Sequence, residues 1–327
     1  MDEYIKNLLK LIRGFRYDNT YKIVWIKSIV SLCADRKTSE IPLSEIAEKV
    51  FPLYWNLHIH FDPEGKTLRQ GSNYSKPPEI LQYVLQKIAE YKTQKGKNFK
   101  PVFFETMNKT DVKRLSIDYM KVVSTLKKDV AYRFLNLGSN KIPVYELVND
   151  NNTVSLTSDQ VRLISEHADV LTESIQLRWI KILEEFNPTT PRIAAKVSLS
   201  LDNNSRRKSL AKFRPILDIE NPGRICNECD LPIAEGDLSI DHVIPWSFLY
   251  SDNLWNLVYT HKSCNSSKSN VSPDSQKIKQ LEARNIKLCE LMEVEYHPSS
   301  GKKDYQELKA AINESLVEKM WTLYRGY

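Results

Sequence analysis

The sequence predicts an α+β protein: a mostly helical amino-terminal body, a small cysteine-bearing module, and a last set of helices. Three observations carry this. Apolar residues recur at helical spacing through most of the chain, strand-like runs are short, and three of the five cysteines crowd between Cys226 and Cys264. A chain of 327 residues has room for two or three domains. The reading divides it into a helical recognition or regulatory region over 1–215, the cysteine-bearing module over 216–274, and helices over 275–327 that pack on the body.

The elements follow in order. LLKLIRGF gives one apolar face, and YKIVWIKSIVSLC continues as a largely buried helix in which Cys33 is a small apolar residue. IPLSEIAEKVF reads as a short amphipathic helix with Ser44 near its N-cap. YWNLHIHFDPEGKTLRQGSNYSKPP reads as a brief strand and a long polar loop. His58 and His60 would share one face of that strand, but no cysteine or carboxylate pair completes a metal site, so packing is expected of them. After Pro77 and Pro78, EILQYVLQKIAEYK is an amphipathic helix whose tail, KTQKGKNFK, is a solvated basic loop. DVKRLSIDYMKVVSTLKKDVAYRFL reads as one long or two short helices, and NKIPVYELVNDNNTVSLTS as strands around an Asn-rich turn. Helix returns up to Pro188. A polar, basic stretch, SLDNNSRRKSLAKFRPILDIENPGRI, marks a boundary, and SQKIKQLEARNIKLCELM and YQELKAAINESLVEKMWTLYR close the chain as helices.

Composition narrows the class. Hydrophobic content of 41% and charged content of 27% suit an ordinary globular protein, and a net charge of +6 leans toward a polyanionic partner without specifying one. The start is acidic and lacks a signal-peptide cleavage site, and no apolar run is long enough for a bilayer, so a cytoplasmic location without a membrane partner is expected. An odd cysteine count argues against a disulfide framework.

The chemistry concentrates near the carboxy-terminal end. Cys226 and Cys229 have the spacing of a zinc knuckle, and His261 and Cys264 repeat the two-residue gap farther on. Two such pairs close a tetrahedral site of thiolate and imidazole ligands suited to Zn2+, with no position left for substrate, so this ion is structural. Chance spacing is the plain alternative, and the second pair weakens it. Between the pairs, Asp241 and His242 end the apolar run LSI, and Asn265 adjoins Cys264 where a helix begins. Zinc closure joins the two segments, which makes an ion shared by Asp241 and Asn265 geometrically reasonable. Core packing is expected of Trp246, Phe248, Tyr250 and Trp255, and a turn role of Asn253. Arg206, Arg207 and Lys208, directly ahead of the module, are the best-placed patch for a phosphate backbone; a linker or packed helix is the alternative.

The stretch resembles an HNH endonuclease domain. The family pattern appears as Cys226/Cys229, Asp241-His242-Val243-Ile244-Pro245, Asn256-Leu257, and His261-Lys262-Ser263-Cys264-Asn265 with Lys268. His242 matches the first His of the family name and Asn256 the central Asn. Asn265 stands in place of the last His, and His261 where many zinc-stapled members have cysteine. The resemblance implies a ββα-metal fold, a β-hairpin followed by a helix around a catalytic ion. It implies a catalytic set of His242, Asn256, Asp241 and Asn265. His242 is then the general base, and Asp241 and Asn265 hold Mg2+ or Mn2+ against the scissile phosphate. Asn256 ties the hairpin loop and so orients His242. Lys268 steadies the helix or contacts a phosphate. Products carry a 5′-phosphate and a 3′-hydroxyl.

For the whole protein, the expectation is a DNA endonuclease of restriction or anti-phage type acting on double-stranded DNA. Two strands need two active sites, which leaves a homodimer open, and a defence operon would supply a partner protein. One competing reading is a nonspecific or RNA-directed triggered effector. Another is a non-catalytic zinc-stabilised DNA-binding module, against which the second polar set argues, because binding needs the zinc staples alone.

Overall fold

The computed structural model describes residues 2–60, 68–73, 75–96, 99–201, 209–268, 272–295 and 298–326. The chain divides into two units, residues 1–188 with 193–205, and residues 189–192 with 206–327. Arg206, Arg207 and Lys208, proposed as a phosphate contact, lie outside the described residues.

In the first unit, helix α1 (Glu3–Gly14) buries Ile5, Leu8, Leu9, Leu11 and Ile12 along one stripe, and the Asp2 carboxylate caps it by accepting from the Tyr4 N–H at 2.8 Å. Helix α2 (Tyr21–Arg36) is apolar on most sides and is correspondingly buried, packing against α3 (Leu43–His58), α7 (Ser158–Glu166) and α8 (Ala168–Phe186). Cys33 is fully buried on α2, and burial pushes its thiol up to about 12, which suits the inert packing role expected of it.

The strand expected at YWNLHIH is not formed. Helix α3 runs straight through Pro52 to His58. An interior proline costs about 3 kcal/mol. The turns beyond it bury Tyr54, Trp55 and Leu57 completely, at about 1.5–3 kcal/mol for each such side chain. Packing therefore outweighs the proline. His58 ends inside a buried polar network. Thr20 Oγ1 lies 2.8 Å from Tyr54 Oη and donates to Gln70 Oε1 at 2.8 Å, and Gln70 Nε2 sits 3.2 Å from His58 Nε2.

Helices α4 (Glu79–Lys95), α5 (Lys109–Leu115), α6 (Tyr119–Asp129) and α9 (Ile193–Leu201) complete the helical part. The basic tail of α4 is partly tied down, since Lys95 Nζ meets Asp111 Oδ2 at 2.6 Å. A small antiparallel sheet joins β1 (Glu40–Pro42), β5 (Thr153–Ser155) and β4 (Glu146–Val148) in that order, and β2 (Asn136–Leu137) pairs with β3 (Asn140–Lys141). The β4–β5 turn is the Asn-rich one foreseen: Asn149, Asp150 and Asn151 all take positive φ, a conformation that Asn and Asp tolerate best among residues with a side chain.

The second unit holds α10 (Arg214–Glu220), β6 (Leu238–His242), α11 (Trp246–Leu249), β7 (Leu257–His261) and α12 (Lys262–Lys268). Strands β6 and β7 pair antiparallel from Leu238↔His261 to His242↔Leu257, and α12 packs on both, giving a ββα arrangement. Helices α13 (Ser275–Glu295), α14 (Pro298–Asn313) and α15 (Leu316–Gly326) belong to this unit. They contribute Ile278, Leu281, Leu288, Leu308, Val317 and Tyr324 to a core shared with Phe248, Trp255 and Tyr259. The fold is thus α+β and mostly helical, with a small hairpin module. Among the described residues, no helix is long and apolar enough to cross a membrane.

Candidate active site and metal centre

Two side-chain groups sit on the hairpin. The first is built where the turn before β6 meets the end of β7. Cys226 and Cys229 belong to a tight turn closed by an Ile225↔Pro232 bridge, His261 ends β7, and Cys264 lies on α12. Their ligand atoms all lie within 4.8 Å of one another. The Glu228 and His261 N–H groups both donate to Cys226 Sγ at 3.4 Å. His261 Nδ1 is 3.4 Å from Cys229 Sγ and 3.8 Å from Cys264 Sγ, while Nε2 lies 3.2 Å from the Pro232 carbonyl oxygen. A carbonyl only accepts, so Nε2 carries the hydrogen and the Nδ1 lone pair faces the sulfurs. That outer hydrogen bond is the usual device for fixing a ligating imidazole.

The electrostatics agree with a cation-holding group. Burial pushes the Cys226 thiol up, but the N–H groups donated to its sulfur outweigh it and bring the thiol to about 7. Cys264 is pushed up to about 11, by burial first and then by its thiol neighbours. One thiolate is favoured and further ones repel it, a conflict that a divalent cation removes. The Cys3His geometry is consistent with a structural zinc site, and the residues present fit the ion.

The second group lies along the seam of β6 and α12. Side chains alternate along a strand, so Ser239 and Asp241 share one face of β6. Asn265 and Lys268, three apart on α12, meet that face in register. Asn265 Nδ2 donates to Ser239 Oγ at 2.9 Å, and Lys268 Nζ donates to Asp241 Oδ2 at 2.9 Å and to the His242 carbonyl oxygen at 2.9 Å. Lys268 Nζ also comes within 3.5 Å of Glu228 Oε1, whose other oxygen meets Lys277 Nζ at 2.8 Å. Burial pushes Glu228 up, but the Lys277 hydrogen bond and both lysine charges hold its carboxyl below the ordinary range. The Lys268 side chain is only 9% exposed, and its ammonium is engaged inside the module.

His242 follows Asp241, and its Nε2 lies 3.0 Å from Asp252 Oδ1. Just beyond, Asn256 is fully buried in the short turn Leu254–Asn256. Its amide clasps one residue from both sides: Oδ1 accepts from the Ile244 N–H and Nδ2 donates to the Ile244 carbonyl, each at 2.8 Å. Its own carbonyl accepts from the Val243 N–H at 2.9 Å. Asn253 plays a separate part, donating to Glu307 Oε2 at 2.7 Å. Phe248, Tyr250 and Trp255 are buried, and Trp246 stacks on Tyr250 at 4.4 Å.

The structure therefore gathers Cys226, Cys229, His261 and Cys264 into one cluster. It sets Asp241 and Asn265 on a common seam, and it holds the His242 ring against Asp252. Sequence reasoning missed Ser239, Glu228 and Asp252. Glu228 had a legible signal, an acidic residue between two knuckle cysteines; Asp252 looked like an ordinary turn residue.

The HNH endonuclease family model matches residues 229–274. That stretch takes in the hairpin, α12 and all of the residues above except Ile225, Cys226 and Glu228, which lie just before it, and Lys277 and Glu307, which lie beyond it. No curated protein and no solved structure matches the chain. With the ββα order and three of the four Cys3His residues inside the family match, residues 229–274 are an HNH endonuclease family domain.

Proposed function

We propose that the chain is a metal-dependent endonuclease that hydrolyses DNA phosphodiester bonds. The observation that carries this reading is the end of β6: Asp241 shares a seam with Asn265, and His242, next in sequence, has its imidazole held by Asp252. A DNA-binding module needs only the cysteine staples and has no use for this second polar set.

In this reading His242 is the general base that takes a proton from the attacking water. The water oxygen bonds to phosphorus as the bond to the 3′ oxygen breaks. The electron pair leaves on that oxygen, which is protonated from solvent, and the products are a 5′-phosphate and a 3′-hydroxyl. Asp241 and Asn265 would hold Mg2+ or Mn2+, which would supply positive charge for the phosphate and the leaving oxygen. One carboxylate and one amide oxygen suit an ion that keeps several of its own waters. Asn256 fixes the backbone after His242. Cys226, Cys229, His261 and Cys264 hold a structural Zn2+. Cutting both strands needs two such sites, so the proposal extends to a two-fold homodimer in a cytoplasmic restriction or anti-phage setting, with a partner protein from the same system.

The test is incubation with duplex DNA and, in parallel, RNA, with Mg2+ or Mn2+ and with EDTA. Metal-dependent DNA fragments that a ligase rejoins without prior phosphorylation are expected. DNA left intact while RNA is cut, or fragments with 5′-hydroxyl ends, would overturn the reading.

A further inference from the structure

We infer that Asp252 is a positioning residue for His242, fixing both the orientation and the tautomer of its imidazole. The inference rests on His242 acting as the base and adds a residue that the family pattern does not name.

The geometry is specific. His242 is 4% exposed, so its ring has little freedom, and Asp252 Oδ1 lies 3.0 Å from Nε2. An ionised carboxylate only accepts, so Nε2 carries the hydrogen. In the neutral ring Nδ1 is then the acceptor nitrogen, the one that can take a proton from water. Losing Asp252 removes the acceptor that favours the Nε2–H tautomer, and the other tautomer presents an N–H where a lone pair is required.

Asp252 is itself placed by its neighbours. Tyr250 ends α11 in a left-handed conformation, and its N–H donates to the Trp246 carbonyl at 2.7 Å. On the other side, Asn253 is fixed by Glu307, and its carbonyl accepts from the Asn256 N–H at 3.0 Å. One short segment, 252–256, thus grips the end of β6 twice: Asp252 holds the ring of His242, and Asn256 holds the backbone of Ile244. A base held at both ring and backbone keeps its nitrogen where the water must lie, which is what proton transfer in a transition state demands.

The experiment compares zinc-loaded wild type with Asp252→Ala, Asp252→Asn and His242→Ala. Two readouts are used: steady-state DNA cleavage and the ring-nitrogen NMR signals of His242. In Asp252→Ala, kcat is expected to fall about 100-fold, the lower part of what a general base contributes, with KM nearly unchanged. Its NMR signals should shift from a single Nε2–H tautomer to a mixture. Asp252→Asn can offer its Nδ2–H to the ring and favour the Nδ1–H tautomer, so it should lose rate as Asp252→Ala does and show that tautomer in the NMR signals. A His242→Ala protein that cleaves as wild type would overturn the catalytic reading beneath. An inactive His242→Ala beside an Asp252→Ala of normal kcat, or an unchanged tautomer in Asp252→Ala whatever the activity, would overturn the positioning role alone.

Discussion

Lys268 Nζ lies 2.9 Å from Asp241 Oδ2, so the carboxylate proposed to hold the catalytic cation already faces an ammonium within the same module. The contact draws the last turn of α12 onto β6 and keeps the half-buried Asp241 neutralised. A divalent ion on that carboxylate would meet a like charge at close range, which costs energy in a partly desolvated setting. Lys268→Met should therefore tighten Mn2+ binding by about ten-fold, or ~1.4 kcal/mol, as read by calorimetry. Unchanged or weaker binding would show that Asp241 and the ion do not share the space next to Lys268.

Asn256 offers a stability test that does not depend on catalysis. Replacing it with Ala leaves the Ile244 N–H and carbonyl without partners in a buried turn, each costing about 1–3 kcal/mol. Asn256→Ala should lower unfolding stability by about 3 kcal/mol, whereas Asn253→Ala, which loses one less buried contact, should cost about 1 kcal/mol. Equal effects in denaturant titrations would contradict the assignment of Asn256 as the loop clasp.

The Cys3His group predicts one Zn2+ per chain by elemental analysis. Cys226→Ala removes the sulfur that receives two backbone hydrogen bonds, so zinc should be lost and the second unit should unfold without a cooperative transition. Glu228 links this group to the seam through Lys268, so Glu228→Gln should keep its zinc while slowing cleavage. Zinc retained in Cys226→Ala would mean that the cluster holds its metal by another set.

The first unit carries a pH dependence of its own. Burial holds the His58 imidazole down at about 3, against 6.5 ordinarily. The folded value is the lower one, so the unfolded chain takes up the proton first as pH falls. Stability from a neutral His58 is complete above about 6.5 and is lost as pH drops toward 3, at about 1.4 kcal/mol per unit. Between pH 7 and pH 5 wild type should lose about 2 kcal/mol more than His58→Gln. Parallel pH profiles for the two proteins would remove His58 as the cause.

What the sequence made legible follows from the range of the interactions involved. Helical periodicity is local, and α1, α2, α4 and α8 fall where their apolar spacing predicts. The knuckle cysteines, His261 and Cys264 stood out because their types and spacings are chemically demanding, and their ligand atoms do come together. The strand expected near His58 failed because tertiary burial of Tyr54, Trp55 and Leu57 carries the helix past Pro52. The partners Asp252 and Ser239 were hidden for a related reason. Each is an ordinary polar residue whose role is set by the side chain that folding brings against it.

If His242 does the chemistry at the end of β6, its loss must stop cleavage. The most direct test is cleavage of duplex DNA by wild type and His242→Ala at equal zinc content, with Mg2+ or Mn2+ present. Metal-dependent cutting is expected of the wild type, and His242→Ala should nearly abolish it while retaining its zinc and unfolding transition. Cutting at an undiminished rate by His242→Ala, with contaminating nuclease excluded, would contradict it.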